Sequence, residues 1–482
     1  MAETFYDGYF DGEGRARPAC VGLVRQIEAL GGEGLRALQG TAEVSLLNQG
    51  ITFTVYADDR GTEKIMPFDI LPRVVTAGEW ERVERGMAQR LRALNRFLAD
   101  IYSEQRILKD GVVPGELIVG SAQFCRPMWG IEPPGGVFVH VSGTDLIQDE
   151  SGRFVVLEDN LRVPSGVSYL IENRRVMSRV MPDLMRRYRV QRVDHYPRLL
   201  LECLQAISRR EEARVAVLTP GSYNSAYFEH SFLAAQMGVE LVEGSDLVVD
   251  RERLFMKTTA GLEPVDVLYR RVDDSFLDPV VFRPDSLLGV PGLMHAYRAG
   301  HLVLANAPGT GVADDKATYA YVPEMIRYYL GEEPVLDQIP TYLCRDEEQR
   351  RYVIEHLEEL VVKPTDGSGG YGVVVGPHAS AAEREQLRSA ILADPERFIA
   401  QPVQALSTLP TLVLEGRTAR MASRHVDLRP FALFGPDERV DILPGGLTRV
   451  ALEQGSLIVN SSQGGGSKDT WVLHGQAEAA DA

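Results

Sequence analysis

Four glycines, Gly367, Gly369, Gly370 and Gly372, fall within six positions of the stretch Leu360-Val-Val-Lys-Pro-Thr-Asp-Gly-Ser-Gly-Gly-Tyr-Gly-Val-Val-Val375. Glycine tolerates positive φ and lets main-chain amides approach an anion closely. Lys363 closes the strand before the loop, so its ammonium can reach the same place. Together they make a lid suited to polyphosphate. A flexible hairpin with a solvated lysine is the plainer alternative, and the crowding of glycines favours the lid. The spacing is not GxxxxGK[ST], which excludes a P-loop. A second candidate is Asn306-Ala-Pro-Gly-Thr-Gly-Val-Ala-Asp-Asp-Lys-Ala-Thr318. Asp314 and Asp315 suit a helix N-terminus, whereas Lys316 in the first turn opposes the helix dipole. That mismatch suits a phosphate partner, against a surface ion pair.

A third group is made of oxygen donors. Glu158 and Asn160 are two apart at the end of an apolar strand, so they share one face. Asp145 lies 13 residues before Glu158, on the facing strand of an expected hairpin. Three hard oxygen donors on one face suit magnesium, although Glu-x-Asn alone is a weak pattern. A fourth group joins Arg424-His-Val-Asp-Leu-Arg-Pro-Phe431, Gly445-Gly-Leu-Thr-Arg-Val450 and Asn460-Ser-Ser-Gln-Gly-Gly-Gly-Ser-Lys-Asp469. Arg429 and Arg449 interrupt apolar strands, and a buried guanidinium needs an anion. Either a carboxylate such as Asp427 or a phosphoryl group meets that need. Tyr269-Arg-Arg-Val-Asp-Asp274 reads equally as a pocket lining or as an internal ion-pair cluster. His140 and His425 read as hydrogen-bonded core or rim residues. No Ser/His/Asp or Cys/His nucleophile pattern is present.

The elements that carry these residues follow from periodicity. Val83, Met87, Leu91, Leu94, Phe97, Leu98 and Ile101 form one apolar stripe, predicting a helix over 79–102 within a mainly helical segment 21–108. Val137–Val141 and Phe154–Leu157 predict a pair of strands. Helix is expected over 172–212, rich in arginine. Strands at 214–218, 239–242, 265–269 and 301–304, with a helix over 224–237, predict a small Rossmann-like α/β unit without a GxGxxG turn. The expected division is an N-terminal arm and helical region (1–110), a segment with the metal-binding strands (111–212), the Rossmann-like domain (213–312), a glycine-loop lid and core segment (313–474) and a disordered tail (475–482).

With 482 residues, several domains are expected. The net charge of −17 argues against a large nucleic-acid surface. The four cysteines lie far apart, which excludes a CxxC site and predicts buried, reduced thiols of a cytoplasmic protein. No leader-like N-terminus or membrane-length apolar run is seen, so no membrane partner is expected.

These motifs, spread over nearly the whole chain, resemble the circularly permuted type 2 ATP-grasp family, with glutathionylspermidine synthetase a more distant relative. The resemblance rests on Val139-His-Val-Ser-Gly-Thr-Asp145, Val156-Leu-Glu-Asp-Asn-Leu-Arg-Val-Pro-Ser-Gly166, Tyr269–Asp274, Asp314-Asp-Lys316, Val362-Lys-Pro364 with its glycine loop, Arg424–Arg429 and Val459–Asp469. It implies an α/β (α+β) permuted ATP-grasp fold with a Rossmann-like pre-ATP-grasp domain and a helical N-terminal region. Lys316, Lys363, Gly367, Ser368, Gly369, Gly370, Gln401, Val403 and Gln404 would surround ATP. Asp145, Glu158 and Asn160 would hold Mg2+, and Arg429 and Arg449 would stabilise the transferring phosphoryl group. Asn460 would be either a neighbour of the metal or a phosphate contact. The hinge Phe398–Gln404 carries Gln401 and Gln404 where many members of the superfamily use glutamate. The magnesium ligands, which come last in the usual order, here come first. The implied activity is ligation of a small-molecule or peptide carboxylate to an amine through an acyl phosphate. The alternatives are a small-molecule phosphotransferase and a weakly catalytic ATP-binding regulatory or scaffold protein. The sequence carries no sign of oligomeric state.

Overall fold

The computed structural model describes residues 5–55, 62–208, 210, 212–365, 372–415, 418–453, 455, 456, 459 and 465–475. Its centre is an eight-stranded sheet. Along the sheet the order is Asp337–Gln338, Phe154–Asn160, Val141–Gln148, Thr418–Phe434, Val440–Val450, Gly466–Val472 and Phe68–Val75, with Thr408–Glu415 pairing to Thr418–Phe434. Early and late parts of the chain thus alternate within one sheet. Strand Val141–Gln148 runs antiparallel to Thr418–Phe434, with Leu146 opposite Leu428 and Gly143 opposite Phe431. Pro430, which has no N–H to give, sits where this long strand shifts register against its other neighbour.

The helix Ala77–Ile101 covers one face of this sheet. Its start is fixed by a capping box: Thr76 Oγ1 accepts from the Glu79 N–H, and Glu79 Oε2 accepts from the Thr76 N–H at 2.8 Å. All seven residues of the expected stripe are buried. The same helix buries the polar side chains of Gln89, Arg90, Asn95 and Asp100, and two of them fasten it to neighbouring segments. Arg90 pairs with Asp159, and Asn95 Oδ1 accepts from the Phe138 and Val139 amides at 3.0 and 2.9 Å. The second interaction changes the expected strand. Residues 137–140 are Val-Phe-Val-His, yet the amides of Phe138, Val139 and His140 bond to side chains, and the strand begins only at Val141.

The N-terminal region is also less helical than its periodicity suggests. Phe68–Val75 is a strand at the end of the large sheet, parallel to Gly466–Val472. An end position tolerates Pro72. The N-terminal arm packs onto this edge, where Tyr9 donates its hydroxyl to the Pro72 carbonyl.

A four-stranded parallel sheet holds Val303–Ala305, Val267–Arg270, Val215–Leu218 and Glu240–Val242 in that order. The helix Tyr227–Met237 joins two of these strands and starts later than the expected 224. A third sheet, Tyr342–Leu343, Phe398–Pro402, Leu360–Pro364 and Val374–Val375, carries the lysine-bearing strand and has its own small core around Val353, Leu357, Val362 and Ile391. Cys20, Cys125, Cys203 and Cys344 are buried free thiols. No helix among the described residues is long and apolar enough to cross a membrane.

Candidate active site

The hairpin Val141–Gln148 and Phe154–Asn160 puts Asp145 directly opposite Glu158, and Gly143 opposite Asn160. Because strand side chains alternate, Glu158 and Asn160 face one way and Asp159 the other. Asp159 accepts three hydrogen bonds from Arg90, at 2.9, 2.9 and 2.7 Å, and fastens the strand to the long helix. Asn306 fastens it from the parallel sheet. Its Oδ1 accepts from the His140 and Val141 amides at 2.7 and 2.8 Å, and its Nδ2 donates to the Val141 and Leu161 carbonyls at 2.7 and 2.6 Å.

On the functional face, charges form a row across four strands. Arg429 Nε and Nη2 donate to the two oxygens of Asp145 at 2.5 and 2.7 Å. Arg449 Nη2 donates to Asp145 at 2.7 Å, while its Nε bonds Asp427, its opposite number in the next strand. Glu158 Oε1 lies 3.9 Å from Arg429 Nη2 and is 34% exposed, whereas Asp145 is 1% exposed. Burial pushes the Asp145 carboxyl up, but Arg429 and Arg449 outweigh it and hold the group well below the usual carboxylate range. Glu158 is raised, by burial first and then by the neighbouring Asp145 charge, against the pull of Lys316, Lys363 and Arg429.

Those lysines come from the far end of the sequence. Lys316 opens a short helix whose N-cap, Asp315, accepts from the Ala317 amide at 2.8 Å. The Lys316 amide itself donates to the Thr365 carbonyl at 3.2 Å, next to the Lys363 strand. Lys363 Nζ donates to Gln401 Oε1 at 2.8 Å. Burial lowers the Lys363 ammonium to about 8; the Glu158 charge opposes this and the Lys316 charge adds to it. Asp145, Glu158, Arg429, Lys316 and Lys363 are therefore one electrostatic cluster. Asn160 ends the Glu158 strand with its Nδ2 buried and without a hydrogen-bond partner. Nδ2 is a donor, so of this carboxamide only Oδ1 has lone pairs to offer a cation. Among the described residues, no group of three His, Cys, Asp or Glu converges.

The other expected residues are distributed as follows. Gln401 is buried, receives Lys363 and donates to Thr341 Oγ1 at 3.0 Å. Val403 donates its amide to the Glu359 carbonyl, and Gln404 bonds the Pro402 carbonyl. Gly367, Ser368, Gly369, Gly370 and Asn460 lie outside the described residues. Of the two anions that could meet a buried Arg449, the carboxylate is the one it bonds: its hydrogen bonds go to Asp427 and Asp145. Arg270 is fully buried on the carbonyls of Val272, Asn306 and Ala307, and Arg271 on Tyr269 and Ser165, so this pair is an internal cluster. His425 bonds the Leu406 carbonyl as expected, but both ring nitrogens of buried His140 lack a partner.

Three contributors were missed by sequence reasoning. Asp159 was detectable from alternation alone, since a carboxylate facing away from Glu158 must meet a cation. Asn306 and Arg162 gave no local sign, because their partners are distant. Arg162 Nε donates to Asp314 Oδ2 at 2.8 Å, and the Leu161 amide donates to Asp314 Oδ1.

The chain matches the family model described as circularly permuted ATP-grasp type 2 over residues 72–451. A Synechocystis sp. protein is 56% identical over 477 residues, covering 98% of both chains. A Mycobacterium tuberculosis protein is 52% identical over 477 residues, covering 98% of this chain and 85% of its own. A Frankia alni protein named "Putative glutamate--cysteine ligase 2-3" is 45% identical over 472 residues, and the match spans 54% of that longer protein. The structure of a glutathione synthetase-like effector from Globodera pallida in apo form has a TM-score of 0.60 at 12% identity, covering 91% of this chain and 96% of the other, which is a likeness of fold. The chain belongs to the circularly permuted ATP-grasp type 2 family.

Proposed function

We propose that this protein is an ATP- and Mg2+-dependent carboxylate–amine ligase acting through an acyl phosphate. The observation that carries the reading is the meeting of Lys316 and Lys363 with Glu158 and Asp145 in one charge cluster. Cations for phosphates and carboxylates for a metal are what transfer of a γ-phosphoryl group requires. The relatives named as ligases and the glutathione synthetase-like fold point the same way.

Lys316 and Lys363 would hold the α- and β-phosphates. Glu158, Asn160 and Asp145 would hold the magnesium, which supplies charge neutralisation for the polyphosphate. Arg429, bonded to Asp145 and 3.9 Å from Glu158, is 15% exposed and would meet the transferring phosphoryl group. Arg449, kept between Asp145 and Asp427, positions the metal carboxylate. A substrate carboxylate oxygen bonds to the γ-phosphorus, the bridging bond to ADP breaks, and ADP leaves. An amine nitrogen then bonds to the acyl carbon, phosphate leaves and the nitrogen gives up a proton. None of these steps needs a protein nucleophile. The four buried free thiols suit a reducing, cytoplasmic setting.

The test is ADP release across a set of acids and amines, with hydroxylamine as a trap that converts an acyl phosphate to a hydroxamate. Glu158→Ala should reduce turnover by about 100-fold or more while the melting temperature stays near wild type. A fully active variant would remove Glu158 from the metal site. ADP release with no hydroxamate from any acid would favour a phosphotransferase.

A further inference from the structure

A cavity of about 770 Å³ lies between residues 119–127, Arg162 and residues 273–276, 281 and 282. Its walls are tied to the nucleotide side at two points. Arg162 stands two residues beyond Asn160 and bonds Asp314, two residues before Lys316. Ser121 Oγ donates to Asp315 Oδ2 at 3.3 Å. Arg162 also donates from Nη1 to Asp273 Oδ2 at 3.2 Å. Its Nη2 has no hydrogen-bond partner among the described residues, and the Asp273 side chain is 43% exposed. A guanidinium and a carboxylate are thus held side by side, each with donor or acceptor capacity left over. Phe276, Val281 and Phe282 form an apolar wall next to them.

We propose that this cavity binds a free amino acid as a zwitterion, its carboxylate at Arg162 and its ammonium at Asp273. The inference rests on the ligase reading and names the substrate class for it. An amino acid carries its two charges a few ångströms apart, matching the adjacent Arg162 and Asp273. A carboxylate at Arg162 is brought to the end of the Glu158–Asn160 strand, where the γ-phosphate would be. The volume exceeds that of one amino acid and leaves space for an amine acceptor. Gly311 makes room for two of the lining side chains: a Cβ there would lie 2.7 Å from Arg162 Cδ and 2.8 Å from Gln123 Oε1.

The experiment measures binding of the full chain by calorimetry, without nucleotide and again with ADP. The probes are the free L-amino acids, their N-acetyl derivatives, dicarboxylic acids and polyamines. At least one amino acid should bind, and its N-acetyl form should bind at least about tenfold more weakly. Asp273→Asn should weaken that amino acid by a similar factor and leave ADP affinity unchanged. Equal binding of the N-acetyl form, unaltered binding by the variant, preference for a dicarboxylate or polyamine, or no binding at millimolar concentration would each overturn the proposal. Amino-acid binding without ADP release in the turnover assay would count against the ligase reading and keep the pocket. ADP release driven only by acids without an amino group would do the reverse.

Discussion

Lys363 shows how one residue can carry two properties at once. It bonds Gln401 in the third sheet and shares a charge cluster with Lys316 and Glu158. Its ammonium is pushed down to about 8, so it is mostly charged at neutral pH and loses its proton as pH rises through that value. Nucleotide affinity should therefore fall above pH 8, somewhat later when bound phosphate holds the proton in place. Lys363→Arg keeps its charge through this range and should abolish the fall; titration of ADP binding from pH 7 to 9.5 checks it. Residue types at this scale were legible in the sequence: the lysines and the carboxylates were found by type and spacing. Which of Arg429 and Arg449 takes Asp427 as its partner was not, because it depends on the pairing of the strands. Asp427 faces Arg449 across the strand pair, and only the register shows that.

At the scale of elements, the helix Ala77–Ile101 does more than fill the core. Arg90 reaches from it to Asp159, and both side chains are nearly inaccessible, at 4% and 2%. Removing one member strands the other charge in a dry interior. Asp159→Ala should cost about 3–5 kcal/mol in urea unfolding. Replacing both members by leucine should recover much of that loss. Loss of the pair should also lower turnover, since Glu158 and Asn160 flank Asp159 on the same strand. Periodicity gave this helix almost to the residue, because its stripe and capping box are local signals. The strand beginning at Val141 was read four residues too early. Local composition favoured strand over 137–140, but Asn95 and Asn306 take their amides, and neither asparagine is near in sequence. The end strand Phe68–Val75 was hidden for a related reason. It is buried on both faces and shows no alternation, so it merges with the helical pattern around it.

At the scale of the molecule, permutation leaves the sheet intact and alters only where the chain is joined. The order of motifs was readable from the sequence; the way they interleave in space was not. Buried neutral imidazoles tie the whole fold to pH. His230, bonded to Thr219, is lowered to about 2 and His140 to about 3, both chiefly by burial. Both values lie below that of an unfolded histidine, so the unfolded chain takes up the protons first. The stability they allow is full above pH 6.5 and declines as pH falls towards 3. Melting temperature should drop through this window, and less steeply in a His230→Gln variant.

The row of charges also bears on the order in which the protein can be made. Asp145 leaves the ribosome 284 residues ahead of Arg429 and 304 ahead of Arg449. Until those arginines emerge, the Asp145 strand has no neighbour on one side, and its acid has no counter-ion. The early hairpin must therefore wait with one edge unpaired and solvated for the C-terminal strands, and the central sheet closes as a late event.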